Sequence, residues 1–123
     1  MKYLLLIYHE ESAWNRIGEA EKQKMYAGYR ALRDDLTARG IYLNGSQLQP
    51  IATASSVRIR DGKDLVTDGP FAETHEQLGG YFLIEAVNQA EAIAVAKRIP
   101  SASMGTIEVR PLVEMQATAS AQG

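Results

Sequence analysis

The sequence predicts an α+β fold built from two β-α-β units with a β-hairpin inserted between them. Three observations support this prediction: two strands that are apolar on both faces, two segments with helical periodicity, and an alternating segment around Asp61-Gly62. With 123 residues and a mass of 13.5 kDa, the chain has the size of one domain. We expect that domain to cover residues 1–115 and a disordered polar tail to cover residues 116–123.

The first half of the chain contains a strand, a helix and a second strand. Residues 2–8 form a continuous apolar run that is typical of a buried strand. Apolar residues at helical spacing predict a helix over residues 19–39, and Gly40 is a natural C-terminal stop. Residues 41–50 read as a second strand with a bulge or bend at Gly45.

The inserted hairpin covers residues 55–67, where β-branched and basic residues alternate on either side of Asp61-Gly62. A two-residue turn would place Ile59 opposite Asp64. A three-residue turn would instead place Arg60 opposite Asp64. We favour the three-residue turn because it matches side chains better, with Arg60 opposite Asp64 and Ile59 opposite Leu65.

The second half repeats the strand-helix-strand order. Residues 81–84 form an apolar strand, and a helix over residues 89–99 follows the N-cap Asn88 and ends at Pro100. Residues 106–111 alternate as the last strand. This order predicts a ferredoxin-like fold, in which both helices cover one face of the sheet.

The two apolar strands raise a packing problem. An antiparallel sheet with one face in water alternates between apolar and polar residues, whereas residues 2–8 and 81–84 are apolar on both faces. A second copy of the sheet is the simplest cover for the face that carries no helices. We therefore predict a homodimer.

Composition excludes several classes of protein. A net charge of −2 argues against direct binding of nucleic acid, and the absence of cysteine excludes disulfides and thiolate metal sites. Residues 2–8 are too short for the core of a signal peptide. No segment approaches the roughly 20 apolar residues that cross a membrane, so we expect a cytoplasmic protein.

Residues 68–81 carry a distinctive motif, DGPFAETHEQLGGY. This stretch resembles the signature of the DGPF subgroup of the YCII-related family, and residues 1–3, 45–50 and 108–111 resemble further blocks of that family. The resemblance covers nearly the whole chain and implies a dimeric α+β barrel of ferredoxin-like domains. Some members are encoded beside, or fused to, alternative sigma factors, which makes a sigma factor a candidate partner.

The chain departs from the family pattern at the positions with proposed chemistry. The wider family includes members with a proposed His–Asp pair, the histidine in the first helix and the aspartate just after the second. Residues 19–39 contain no histidine, and Pro100-Ser101 follow the second helix. His75 also stands where the signature more often has lysine. The pair cannot be carried over to this chain.

The DGPF loop contains the candidate site residues. Asp68 and His75 are candidate catalytic bases, although an Asx-turn at Asp68 and a solvated loop at His75 are the favoured interpretations. Phe71 is expected to anchor the core beneath the loop. The candidate binding residues are Asp68, Gly69, Pro70, Phe71, Glu73 and His75.

Other residues are given structural roles. His9 is expected to be an ordinary surface residue. Core packing is favoured over the lining of a small-molecule cavity for Tyr26, Tyr29, Tyr42 and Tyr81. With only two histidines and no cysteine, we expect neither a metal site nor a cofactor.

Three functions remain open. The favoured hypothesis is a non-catalytic dimeric domain that binds a small ligand or a protein partner, because no complete catalytic constellation is visible. A small-molecule enzyme with a pocket at the junction of sheet and loop is one alternative. An accessory protein in sigma-factor transcription control is the other.

Overall fold

The computed structural model describes residues 1–114, so the predicted tail at residues 116–123 lies outside the described residues. The strands are β1 (Lys2–His9), β2 (Tyr42–Gln47), β3 (Ser55–Arg60), β4 (Lys63–Asp68), β5 (Gln77–Glu85) and β6 (Thr106–Pro111). The α-helices are α1 (Glu11–Arg16), α2 (Glu19–Ala38) and α3 (Gln89–Ala96). None of these helices is long and apolar enough to cross a membrane.

Four strands form one antiparallel sheet in the order β2-β5-β1-β6, and β3 and β4 form a separate hairpin. Without the hairpin and the short α1, the element order is β-α-β-β-α-β. The structure is therefore α+β, as predicted, and its sheet order is compatible with a ferredoxin-like fold.

The core lies between the sheet and the long helices. Alternate residues of β1 and β5 point to this side, and their partners come from α2, α3 and the turn that follows α3. The largest fully buried side chains are those of Tyr3, Leu5, Leu36, Ile84 and Ile99. The side of the sheet that faces α2 and α3 is called the inner face below.

The helix ends follow local chemistry. Gly40 has φ +72°, a left-handed conformation that glycine adopts at little cost, and α2 ends just before it, as predicted. The Asn88 side chain accepts a hydrogen bond of 2.9 Å from the Glu91 backbone N–H and caps α3. The helix was expected to reach residue 99 but ends at Ala96. Ile99 is extended (ψ 124°), the conformation that a following proline imposes.

The hairpin register differs from the favoured prediction. Asp61 and Gly62 both have positive φ, 52° and 74°, which gives a two-residue type I′ turn. Ile59 therefore faces Asp64, and Arg60 faces Lys63. The prediction of a three-residue turn was wrong because the backbone geometry of an Asp-Gly turn outweighs one charge pair across exposed strands.

The opposite side of the sheet has an apolar centre. Leu4, Leu6 and Tyr8 of β1 point there, together with Tyr81 and Leu83 of β5, and all five are partly exposed. We call these five residues the outer sheet face. No helix of residues 1–114 packs on this face, since α2 and α3 both lie on the inner face.

Candidate functional site

A cavity of about 440 Å³ lies between α2 and the inner face of the sheet, near the end of the sheet where β2, β5 and the C-terminal end of β1 meet. This volume falls in the usual range for small-molecule sites, about 300 to 1,000 Å³. Aromatic side chains from α1, α2 and β5 line it, together with two arginines, one glutamate and His9. We call this cavity the α2 pocket.

One stripe of α2 forms a wall of the pocket. Tyr26, Tyr29, Arg30 and Arg33 follow at intervals of three, one and three residues, which places them on one side of a helix. The neighbouring stripe, which includes Leu32 and Leu36, is buried in the core. The helix therefore uses one stripe to hold the fold together and the adjacent one to face the cavity.

A β-bulge positions His9. The β1–β5 register shifts between Ile7 and Tyr8. These residues pair with Gly80 and Leu78, so Gly79 has no partner residue on β1. His9 belongs to the same alternate set as Ile7 and lines the α2 pocket. A Cβ at Gly79 would lie only 2.5 Å from His9 Cε1. Glycine at this position thus makes room for the imidazole.

One nitrogen of His9 is enclosed without a partner. Within residues 1–114, Nδ1 is the one buried side-chain nitrogen or oxygen that has no hydrogen bond. It lies nearer to the Gly79 side than Nε2, at 3.0 Å against 3.6 Å from the position of a Cβ on Gly79. Buried polar atoms without partners are rare, so this atom constrains how the ring is protonated.

Trp14, which is on α1, forms another wall. Its ring lies 5.7 Å from the Tyr26 ring and 6.2 Å from the His9 ring, and Lys22 Nζ lies 5.5 Å from its centre. Residues 10–18 were expected to form a loop leading into a helix, whereas Glu11–Arg16 form this short helix.

Glu11 attaches α1 to the rest of the fold. Its backbone N–H donates a hydrogen bond of 2.9 Å to Gln77 Oε1, and its carboxylate accepts one of 2.9 Å from the Ile51 backbone N–H. The carboxylate in the pocket therefore has a structural partner on the main chain.

Tyr29 and Ser101 meet at the inner end of the pocket. Their hydroxyl oxygens are 2.6 Å apart, and Ser101 is 7% exposed. Burial raises the pKa of the Tyr29 phenol, and the hydrogen bond with Ser101 offsets only part of that shift. Tyr29 therefore enters the site as a neutral hydroxyl group. The two hydroxyls are polar groups suited to recognition.

The predicted DGPF-loop residues lie elsewhere. Asp68 ends β4 and is exposed, and no hydrogen bond to its side chain occurs within residues 1–114. Gly69 has φ +93° and donates a backbone hydrogen bond of 2.6 Å to Ala54, so it shapes the chain as expected. Pro70 and Phe71 line a separate shallow pocket on the hairpin.

Phe71 corrects one expectation. It was expected to anchor the core, but its side chain is 79% exposed. The hairpin is separate from the four-stranded sheet, so the loop after it has no core beneath it into which the ring could pack.

His75 is also exposed, by 85% of its side chain, and its Nε2 lies 2.8 Å from Glu10 Oε1. Its partner is thus Glu10, and Asp68 does not contact it; Glu73, which precedes it by two residues, is exposed as well. None of the six predicted binding residues lines the α2 pocket. Residues 1–114 hold no group of three or more His, Asp or Glu side chains arranged to bind a metal ion.

Comparison with known proteins identifies the family. A family model described as the YCII-related domain matches residues 1–116. The chain belongs to the YCII-related family. It is also similar to a protein of Rhizobium meliloti (strain 1021) named "Uncharacterized protein R00369". The two are 34% identical over 114 residues, which cover 91% of this chain and 92% of the relative.

This YCII-related domain has Ser101 just after its second long helix, the place where the wider family's proposed pair has its aspartate. The structure places Ser101 in the wall of the α2 pocket, bonded to Tyr29. At this point the pocket presents a pair of hydroxyl groups.

The α2 pocket had only partial signals in the sequence. Core packing was favoured over cavity lining for Tyr26 and Tyr29, but both line the cavity, and Tyr29 packs against the core as well. His9 was expected to be an ordinary surface residue, whereas it is half-buried and lines the pocket. The mixture of Tyr and Arg along one stripe of α2 was a further signal. It identifies a helix face that is neither core nor fully solvated.

Proposed function

We propose that this protein is a homodimeric binding domain whose α2 pocket holds a small organic ligand. The observation that carries the proposal is the cavity itself: about 440 Å³, walled by aromatic rings, with a few polar groups around them. Sites for small molecules generally have this composition, a mostly apolar lining with a small number of placed polar groups.

The polar groups of the pocket are suited to recognition. Glu11 is engaged by the Ile51 backbone, and Tyr29 is paired with Ser101. Arg30 and Arg33 are permanently protonated donors that cannot accept a proton at ordinary pH. Within residues 1–114, His9 Nδ1 has no hydrogen-bond partner, so no carboxylate orients the ring through this nitrogen as in a catalytic triad. Binding is therefore the function that this geometry supports best.

Thermal unfolding tests the binding function. The wild-type protein is screened against a broad panel of small metabolites, and ligands that bind the folded state raise Tm. Gln47→Phe places a large ring on the pocket-lining edge of β2 and should abolish the shift. Gln49→Phe makes the same change outside the lining and should leave it intact. A panel with no stabilising compound, or equal shifts in both variants, would contradict the proposal.

The outer sheet face supports the homodimer. Its leucines and tyrosines stay in partial contact with water in one copy, and α2 and α3 both pack on the inner face. Burial of apolar area contributes about 25 cal/mol per Å². A second copy of the same face would complete the burial through a self-complementary two-fold contact.

The hairpin gives a second reason for a partner copy. Val57, Val66 and Phe71 are 65%, 66% and 79% exposed, and an isolated two-stranded hairpin is marginally stable in water. Contact with another chain would shield these side chains from water.

A charge placed on the outer sheet face tests the dimer. Leu6 lies opposite Glu108 of β6, so a lysine in its place gains a cross-strand partner in a single copy. In a dimer its ammonium group would be buried, at a cost of several kcal/mol. Leu6→Lys should yield a folded protein with a light-scattering mass near 13.5 kDa, and the wild type twice that mass. Ile93→Lys, an exposed site on α3, is the control and should remain dimeric. A wild-type mass near 13.5 kDa would contradict the dimer.

A further inference from the structure

We infer that the ligand of the α2 pocket is a small organic anion with a flat apolar body, whose charged group is held by Arg30, Arg33 and His9. This inference rests on the proposed binding function and specifies the chemical class of the ligand. The observations behind it are two guanidinium groups that form no ion pair within residues 1–114, a histidine with one enclosed nitrogen, and an aromatic wall.

The two arginines lie one helical turn apart on the pocket stripe of α2. Within residues 1–114, neither of them forms an ion pair within 4 Å, although Asp34 lies four residues after Arg30. The helix does form ion pairs elsewhere, since Asp35 binds both Arg39 and Arg98. Arg30 and Arg33 therefore keep guanidinium donors free beside the pocket. Their planar forks match a carboxylate or a phosphate.

His9 lines the same pocket and can add a third donor. An enclosed N–H without an acceptor is less favourable than an enclosed lone pair, so the lone pair belongs on Nδ1. Nε2 then carries the hydrogen, and it is the nitrogen farther from the bulge at Gly79. The imidazole can therefore donate to an anion, as the arginines do.

The charge balance of the lining is positive. Glu11 is the acidic residue in the lining, and it is already bonded to the Ile51 N–H. Against it stand Arg30 and Arg33, with Lys22 close by above the Trp14 ring. The chain as a whole carries −2, so the positive charge here is local. An anion bound at this place offsets it.

The apolar wall defines the rest of the ligand. Trp14, Tyr26 and Phe82 line the cavity, and Leu48 and Pro50 line it at and after the end of β2. Aromatic side chains prefer offset or edge-to-face contact with a flat partner. A benzenoid acid would place its ring against the aromatic wall and its carboxylate against Arg30 and Arg33.

A fluorescence titration tests the inference. Trp14 is the only tryptophan of the chain and lines the pocket, so its emission reports occupancy directly. The probes are benzoate, phenyl phosphate and the uncharged benzyl alcohol. The variants are Arg30→Gln, Arg33→Gln and the control Arg58→Gln, which lies on the hairpin outside the α2 pocket. All three arginines are exposed, so the folds are expected to survive, and circular dichroism verifies this.

We expect benzoate to bind more tightly than benzyl alcohol, and each pocket variant to weaken benzoate by about 10- to 100-fold. Binding of benzyl alcohol should change little, and Arg58→Gln should bind benzoate as the wild type does. A similar response to phenyl phosphate shows that the site recognises the anion in either form. A preference for one of the two anions identifies the natural headgroup.

Equal binding of benzoate and benzyl alcohol, or no effect of either pocket variant, would overturn the inference while leaving the binding function intact. An effect of Arg58→Gln as large as that of the pocket variants would also overturn it. If none of the three probes binds, the inference fails, and the metabolite panel in thermal unfolding decides the binding function separately.

Discussion

Gly79→Ala should destabilise the protein, because the new methyl group would enter the space of the His9 ring. The Cβ would lie 2.5 Å from His9 Cε1, whereas non-bonded carbons prefer about 3.5 to 4.0 Å. The ring would have to move by about 1 Å, and such overpacking costs about 1 to 3 kcal/mol. Gly79 does not have positive φ, so alanine gains about 0.4 to 1 kcal/mol from the unfolded state. The net loss should be about 1 to 2 kcal/mol.

A double-mutant cycle isolates the contact. In a His9→Ala background the ring is absent, so Gly79→Ala should be neutral or stabilising by about 0.5 kcal/mol. Urea unfolding followed by far-UV circular dichroism measures both effects, at one protomer concentration because dimerisation would affect apparent stability. The same loss in both backgrounds would show that His9 does not occupy this space.

Three further predictions concern stability. Tyr29→Phe removes the hydrogen bond with Ser101 and should cost about 1 kcal/mol at neutral pH. Because burial raises the folded-state pKa of Tyr29, its contribution to stability is present below about pH 10 and is lost as pH rises through the raised pKa. The free energy of unfolding, measured in urea between about pH 9 and 11, should therefore decline less steeply with pH in Tyr29→Phe than in the wild type. The hydrogen bond from Arg98 lowers the pKa of Asp35, so its contribution is present above the usual aspartate pKa and is lost as pH falls through the lowered value. The free energy of unfolding of Asp35→Asn should therefore fall less steeply than that of the wild type as the pH is lowered. The same pH dependence in both proteins would refute this prediction. Asn88→Ala should cost about 1 kcal/mol in urea unfolding, because α3 loses its cap.

Local patterns predicted most of the elements. The helix over residues 19–39 and the strand over residues 106–111 appear almost as expected, since periodicity and a glycine stop act within a few residues. The inserted hairpin is also present. β1 is apolar on both faces, as predicted: its side chains on the inner face are buried, and those on the outer sheet face are partly exposed.

Features that depend on distant parts of the chain were harder to predict. Phe71 has a core-type side chain but lies on a hairpin outside the main sheet, and the sequence around it does not show where that hairpin sits. His9 follows an apolar strand as a surface residue would. Its pocket position depends on a bulge opposite Gly79, about 70 residues later in the chain. The α2 pocket combines α1, α2 and three strands, so no single segment contains its pattern.

The central claim is that the α2 pocket binds a small organic anion with a flat apolar body. Amide chemical shifts of ¹⁵N-labelled protein, recorded during titration with benzoate, test it most directly. We predict that the largest changes fall on Gly45, Gly80 and Arg33, which line the pocket on β2, β5 and α2. Changes confined to residues 55–75, or no change at any amide of these three residues at saturating benzoate, would contradict the claim.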